Sequence, residues 1–213
     1  MAFGDYAQLV TNFVGADEDP ISDGGKWSVF PTGEQGNQRV SNMVTGGFTG
    51  PPATGYSKGY WTPKIYGPDV EIYMTYNAVS YATEIDARIA NPPSASHDLQ
   101  YIVAIEQTSP TPTWFLQVKD GIVGTTTLAQ TTHAFAPGDK LGLRVVGFTV
   151  SGWWWRGAGP WTQILTAVDA VESQPGAGFI GIGFDNNAAA CNGLYAGTIP
   201  LPITQQGQSY RRV

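Results

Sequence analysis

Residues 141–184 read LGLRVVGFTVSGWWWRGAGPWTQILTAVDAVESQPGAGFIGIGF, and this stretch decides the fold. Leu141, Leu143 and Val145 alternate with Gly142, Arg144 and Val146, the period-two pattern of a half-buried strand. After Gly147, Phe148 to Arg156 continues with β-branched and aromatic residues, which suit a pleated surface. Gly157-Ala158-Gly159-Pro160 supplies a turn, and Trp161 to Val168 returns as the partner strand. A further Gly/Pro break follows at Pro175-Gly176. Consecutive antiparallel strands of this kind predict a β-sandwich.

The triplet Trp153-Trp154-Trp155 cannot point one way, because neighbouring side chains on a strand project to opposite faces. Phe148, Val150, Gly152 and Trp154 share the more apolar face, so Trp154 is expected in the core. Trp153 and Trp155 fall on the other face with Thr149 and Ser151, and the hairpin brings Trp161 close to them. These three rings are the candidate contacts for a glycan or a neighbouring subunit, since aromatics serve both kinds of surface.

Outward from this stretch the same alternation recurs. Val70, Ile72, Met74 and Tyr76 alternate with Glu71, Tyr73 and Thr75, and Ala82 to Ile89 resumes the pattern. Further strands are predicted at Tyr101–Glu106, Trp114–Lys119 and Ile122–Leu128, with Ala136-Pro137-Gly138-Asp139 as the turn before Leu141. Met1 to Trp27 reads as an edge connection, and Gly46 to Gly59 as an exposed loop. With 27 glycines, 15 prolines and 13% charged residues, the 213-residue chain has the composition of many short strands and tight turns. Helix is expected to be scarce. No linker or repeat divides the chain, so residues 1–213 are expected to form a single β-sandwich domain.

Composition also excludes functions. A net charge of −6, with Arg211-Arg212 as the only basic run, argues against a nucleic-acid partner. The single cysteine, Cys191, allows neither an intrachain disulfide nor a Cys-rich metal site, and an inert thiol is expected. MAFGDYAQLV lacks the basic start and apolar stretch of a signal peptide, and no apolar run approaches the ~20 residues of a membrane span. Synthesis in a cytoplasm without membrane insertion is therefore expected. His97 and His133 have no nucleophile partner in a recognisable arrangement and read as surface residues. The acidic cluster Asp17, Glu18, Asp19 and Asp23, and Asp185-Asn186-Asn187, offer oxygen ligands without a complete calcium-loop motif. They read as solvated turns, and no cofactor or metal is expected.

Three segments carry a resemblance to a known family: ADEDPISDGGKW at 16–27, YWTPKIYGPDVEIYMTY at 60–76 and FAPGDKLGLRVVGFTVSGWWWRGAGPWTQIL at 135–165. Together they resemble the concanavalin-like, laminin-G-like jelly-roll proteins of tailed bacteriophages. Two departures stand out. Gly15 replaces an arginine common in the first motif, and NGLYAGTIPLPITQQGQSYRRV at 192–213 replaces the usual acidic final strand. The resemblance implies an all-β, two-sheet antiparallel jelly-roll sandwich and a non-enzymatic virion protein, either capsid decoration or minor tail protein. Its implied partners are other virion proteins and cell-surface carbohydrate, in a homo-oligomeric or multi-copy setting reached by lysis. Residues 1–12 and 192–213 become candidate assembly arms.

Two alternatives stand beside that reading. One is a stand-alone carbohydrate-binding module using Trp153, Trp155 and Trp161. The other is a laminarinase-like glycoside hydrolase, because Glu84-Ile85-Asp86-Ala87-Arg88 resembles the strand motif E-x-D-x-x-E or E-x-D-x-E of such enzymes. Arg88 and Ile89 occupy the two positions where the second glutamate would stand, so Glu84, Asp86 and Arg88 are expected to form a polar stripe on one sheet face.

Overall fold

The computed structural model describes residues 2–30, 35–47, 57–78, 83–90, 100–106, 111–120, 124–169, 176–185 and 188–200. The chain runs β1 (Gln8–Thr11), β2 (Trp27–Val29), β3 (Asn37–Val40), β4 (Met43–Gly46), β5 (Ser57–Tyr66), β6 (Val70–Ala78), β7 (Thr83–Ile89) and β8 (Gln100–Glu106). It continues through β9 (Thr113–Asp120), β10 (Gly124–Thr132), β11 (Lys140–Val146), β12 (Thr149–Trp155), β13 (Thr162–Val168), β14 (Gly178–Phe184) and β15 (Ala190–Thr198). No helix occurs among the described residues.

The strands form two antiparallel sheets. Sheet A has the order β13-β12-β11-β6-β15-β4-β3, with β1 also paired to β15, and sheet B has the order β10-β9-β8-β7-β14-β5-β2. Their inner faces meet in one core. Sheet A contributes Ile72, Met74, Leu141, Leu143, Val150 and Leu194, and sheet B contributes Ile85, Val103, Leu116, Ile180 and Ile182. The alternation predicted for 141–146 is observed: Leu141, Leu143 and Val145 enter the core, and Gly142, Arg144 and Val146 lie on the outer face, where Gly142 is buried beneath Phe3.

Several sequence expectations need revision. Gly46 closes β4, and Ser57, Lys58 and Gly59 open the long strand β5, so both ends of the expected 46–59 loop are buried sheet; 48–56 lie outside the described residues. Residues 1–27 are more than a connection, since β1 and β2 join different sheets. Strand β10 runs on to Thr132 rather than ending at Leu128.

The least legible strand is β15, which sits next to β6 at the middle of sheet A. Its sequence is broken by two glycines that the structure requires. Gly193 adopts φ +66 at a bulge, and a Cβ on Gly197 would lie 1.9 Å from the Tyr6 carbonyl oxygen. The rest of the expected 192–213 arm, from 201 onward, lies outside the described residues.

The other candidate arm, 1–12, is engaged by its own domain from residue 2 onward. Strand β1 pairs with β15, and Phe3 is buried against the outer face of sheet A. Glu71, fully buried on that face, gathers the segment: its carboxylate accepts the N–H groups of Gly4 (3.1 Å) and Ala7 (2.8 Å), that of Tyr6, and the Arg144 guanidinium (2.7 Å). A buried carboxylate is tolerated only with such complete compensation.

Candidate functional site

The two outer sheet faces are chemically different. On sheet B, Glu84 and Asp86 project outward and are buried around the ammonium of Lys58, which lies 2.5 Å from Glu84 Oε1 and 2.8 Å from Asp86 Oδ1. Burial, and the adjacent Glu84, push the Asp86 carboxyl well above the ordinary range despite the opposing Lys58 charge. The two carboxylates thus share one buried cation.

The expected Glu84/Asp86/Arg88 stripe is corrected. A bulge in the β7–β14 ladder and a φ of +55 at Arg88 reverse the alternation there. The Arg88 guanidinium turns over the core ring of Tyr101, 5.4 Å away, and donates to the Pro68 and Gly147 carbonyls and to Asp69. Ile89 takes the outward place, its Cδ1 lying 2.9 Å from where a Gly181 Cβ would be, beside Asp86 Oδ2. The position a second catalytic carboxylate would need thus carries an aliphatic chain.

On sheet A the strand register lays the outward side chains in three rows across β12, β11, β6 and β15. The first row is Ser151, Arg144, Glu71 and Gly197, and residues 4–7 lie over its Glu71 and Gly197. The second row is Trp153, Gly142, Tyr73 and Tyr195. Phe3 fills the space above Gly142, stacking on Trp153 at 5.1 Å, and Tyr73 stacks on Tyr195 at 4.6 Å with 12° between the rings. The third row is Trp155, Lys140, Thr75 and Asn192.

The three candidate tryptophans therefore lie close together but differ in use. Trp153 is spent on the fold: it stacks on Phe3, receives Arg144 at 5.5 Å and donates its indole N–H to Ser151 Oγ at 2.8 Å. Trp155 and Trp161, half-buried, lie 6.5 Å apart, and Trp161 also packs on Phe3 and Tyr73. Lys140 Nζ lies 4.3 Å over the Trp155 ring and 5.4 Å from Tyr73, and partial burial lowers its affinity for a proton. Tyr73, Tyr195 and Lys140 were missed as site residues. Tyr73 was legible, since it alternates with the core residues Ile72 and Met74; Tyr195 depended on a strand that its glycines obscured.

Trp154 faces the core as expected. Its indole N–H donates to Asp139 Oδ2 at 3.0 Å, and its ring packs edge-on with His133 at 4.7 Å. His133 is accordingly not a free surface residue: it is half-buried between Trp114 and Trp154, and burial holds its imidazole below the usual value. His97 lies outside the described residues. The acidic cluster is organised by Arg39 rather than simply solvated. Glu18 and Asp23 pair with its guanidinium at 3.3 and 3.2 Å, while Asp17 accepts the Ser41 N–H. Among the described residues no group of three or more His, Cys, Asp or Glu side chains is placed to hold a metal. Cys191 is buried in the core, which pushes its thiol up.

With this geometry, the chain is an all-β jelly-roll sandwich of two antiparallel sheets, and solved structures of that fold resemble it. The VIP36 exoplasmic/lumenal domain in its Ca2+/Man2-bound form superposes with a TM-score of 0.60 at 12% identity, covering 97% of this chain and 96% of that one. Carbohydrate-binding module CBM66 from Bacillus subtilis gives 0.58 at 12% identity, over 81% and 96%. A Bacillus subtilis protein of unknown function with a galectin-like fold gives 0.58 at 12% identity, over 90% and 98%. At such identities the likeness establishes the fold. No protein-family model matches the sequence, and no curated protein matches it.

Proposed function

We propose that this chain is a non-enzymatic carbohydrate-binding sandwich whose binding surface is the outer face of sheet A. The carrying observation is the third row, where Trp155, Lys140, Thr75 and Asn192 line up across four strands beside Trp161, Tyr73 and Tyr195. Aromatic faces stack on the C–H faces of sugar rings, and the intervening ammonium, hydroxyl and amide supply hydrogen bonds for hydroxyl groups. A sandwich core has no need of these residues, because the inner faces of both sheets are already filled by aliphatic and buried aromatic side chains.

The fold neighbours favour this reading over the virion one, since they include the VIP36 exoplasmic/lumenal domain in a Ca2+/Man2-bound form and a carbohydrate-binding module. A place on a phage particle is supported by the sequence resemblance, and it is compatible with adhesion to a glycan. Hydrolysis is disfavoured by Ile89 on the acid/base position and by the engagement of both carboxylates with Lys58.

A glycan array probed with the wild-type chain tests the proposal. Binding is expected to some saccharides and to fall about tenfold or more in Trp155→Ala and Trp161→Ala, in keeping with the ~1–3 kcal/mol carried by a stacked ring. Absence of any bound glycan would overturn it. Turnover of a β-glucan that disappears in Glu84→Gln would replace it with the hydrolase reading.

A further inference from the structure

The third row ends in a cleft. Beyond Thr75 and Asn192, a cavity of about 310 Å³ opens between the start of the chain and β15, lined by Asn12, Val14, Asn42, Thr75, Asn192, Gly193 and Tyr195. That volume is at the lower end of small-molecule sites. We propose that this cleft is a binding site for the terminal residue of an uncharged saccharide, whose chain continues along the third row toward Trp155. The inference rests on the glycan-binding reading and adds to it a location, a direction and a charge class.

The backbone is built around the cleft. Both ladders of β15 are irregular at this point: its register with β6 shifts between Asn192 and Leu194, and its register with β1 shifts between Leu9 and Thr11. Gly193 is the extra residue of the first shift and takes φ +66, which spreads the strands and leaves it outside the pairing. A Cβ at this position would come within 3.1 Å of the Tyr195 ring, so glycine also keeps the wall clear. Tyr195 is in turn fixed by its stack on Tyr73.

The lining chemistry selects the ligand. None of the seven lining residues is charged, which disfavours phosphate, carboxylate or ammonium groups. Asn12 Oδ1 accepts the Val14 N–H at 3.1 Å, and Asn42 Oδ1 accepts the Gly15 N–H at 3.0 Å. With each carbonyl oxygen committed to a backbone donor, the amide nitrogens of both residues are the atoms left to donate. Asn192 and Thr75 add groups that both donate and accept, and Tyr195 and Val14 add apolar wall. Neutral hydroxyl groups around a ring with an apolar face match that set. Three strand spacings separate Trp155 on β12 from Asn192 on β15, about 14 Å, so only a ligand of more than one ring engages both ends.

The test uses ligand-observed NMR titration of the full chain with methyl glucoside, methyl mannoside and N-acetylglucosamine, alongside the saccharide that binds best in array form. At least one monosaccharide is expected to bind, weakened about three- to tenfold by Asn192→Ala and by Thr75→Val, the worth of one hydrogen bond each. Trp155→Ala is expected to weaken the oligosaccharide and leave the monosaccharide unchanged. Thermal unfolding confirms that each variant is folded. Oligosaccharide binding that is sensitive to Trp155→Ala but indifferent to Asn192→Ala and Thr75→Val would overturn the cleft while leaving the glycan-binding face standing. Failure of every saccharide to bind would remove both.

Discussion

At the level of single residues, Asp139 shows how one buried side chain supports the hairpin that carries the aromatic row. It accepts from Arg156 through both carboxylate oxygens, at 2.6 Å each, from the Trp154 indole and from the Ala136 N–H. Burial alone would raise its pKa, but the Arg156 and Trp154 hydrogen bonds outweigh it and hold the carboxyl below its ordinary value. A depressed carboxyl contributes stability that is present above its unfolded pKa of about 3.9 and is lost as pH falls through the folded value. Chemical unfolding followed from pH 5 to pH 2 is therefore expected to show a steeper acid loss in the wild type than in Asp139→Asn. At neutral pH the variant should be less stable by about 2 kcal/mol. Equal slopes would show that the carboxylate contributes no charge-dependent stability. The sequence marked this residue only by its place in a turn and in one of the segments that carry the family resemblance, because its partners are defined only once β11 and β12 are paired.

At the level of elements, legibility followed how much of each strand's pattern came from its own packing. The alternating strands β6, β11 and the start of β12 were readable because one face is apolar and the other polar. Strand β15 was not, since Gly193 and Gly197 answer to a bulge and to the overlying chain rather than to strand propensity. The polar stripe on β7 was misread past Asp86 for a similar reason: parity arguments fail after a bulge, and the bulge is set by the β14 partner. Gly197→Ala tests the role of the overlying N-terminal segment. Its Cβ would meet the Tyr6 carbonyl, so the segment must lift, with an expected loss of about 1–3 kcal/mol. Amide exchange should quicken at residues 4–9 and not in sheet B. Gly176→Ala, at an open position, should leave both unchanged. Unaltered exchange at residues 4–9 in Gly197→Ala would mean that the segment is not held against β15.

For the whole molecule, the sandwich class was visible in the sequence because two hundred residues of short alternating strands have few other ways to bury their apolar faces. The proposed binding face was only partly visible. Alternation picked out Trp153 and Trp155, but the loss of Trp153 to Phe3 depended on a segment more than a hundred residues away in the chain. What remains is an acidic jelly roll whose outward row from Trp155 to Asn192 leads to a cleft lined by uncharged residues, while on the opposite sheet Glu84 and Asp86 are both paired to Lys58. Indole N–H resonances report on this division directly, because the seven tryptophans are spread between core and outer face. Titration of the isotope-labelled chain with its best-bound saccharide is predicted to shift the Trp155 and Trp161 indole signals and leave those of the buried Trp27, Trp61 and Trp114 in place. Saturable binding with Trp155 and Trp161 unmoved, and shifts confined to sheet B, would contradict the assignment of the outer face of sheet A as the binding surface.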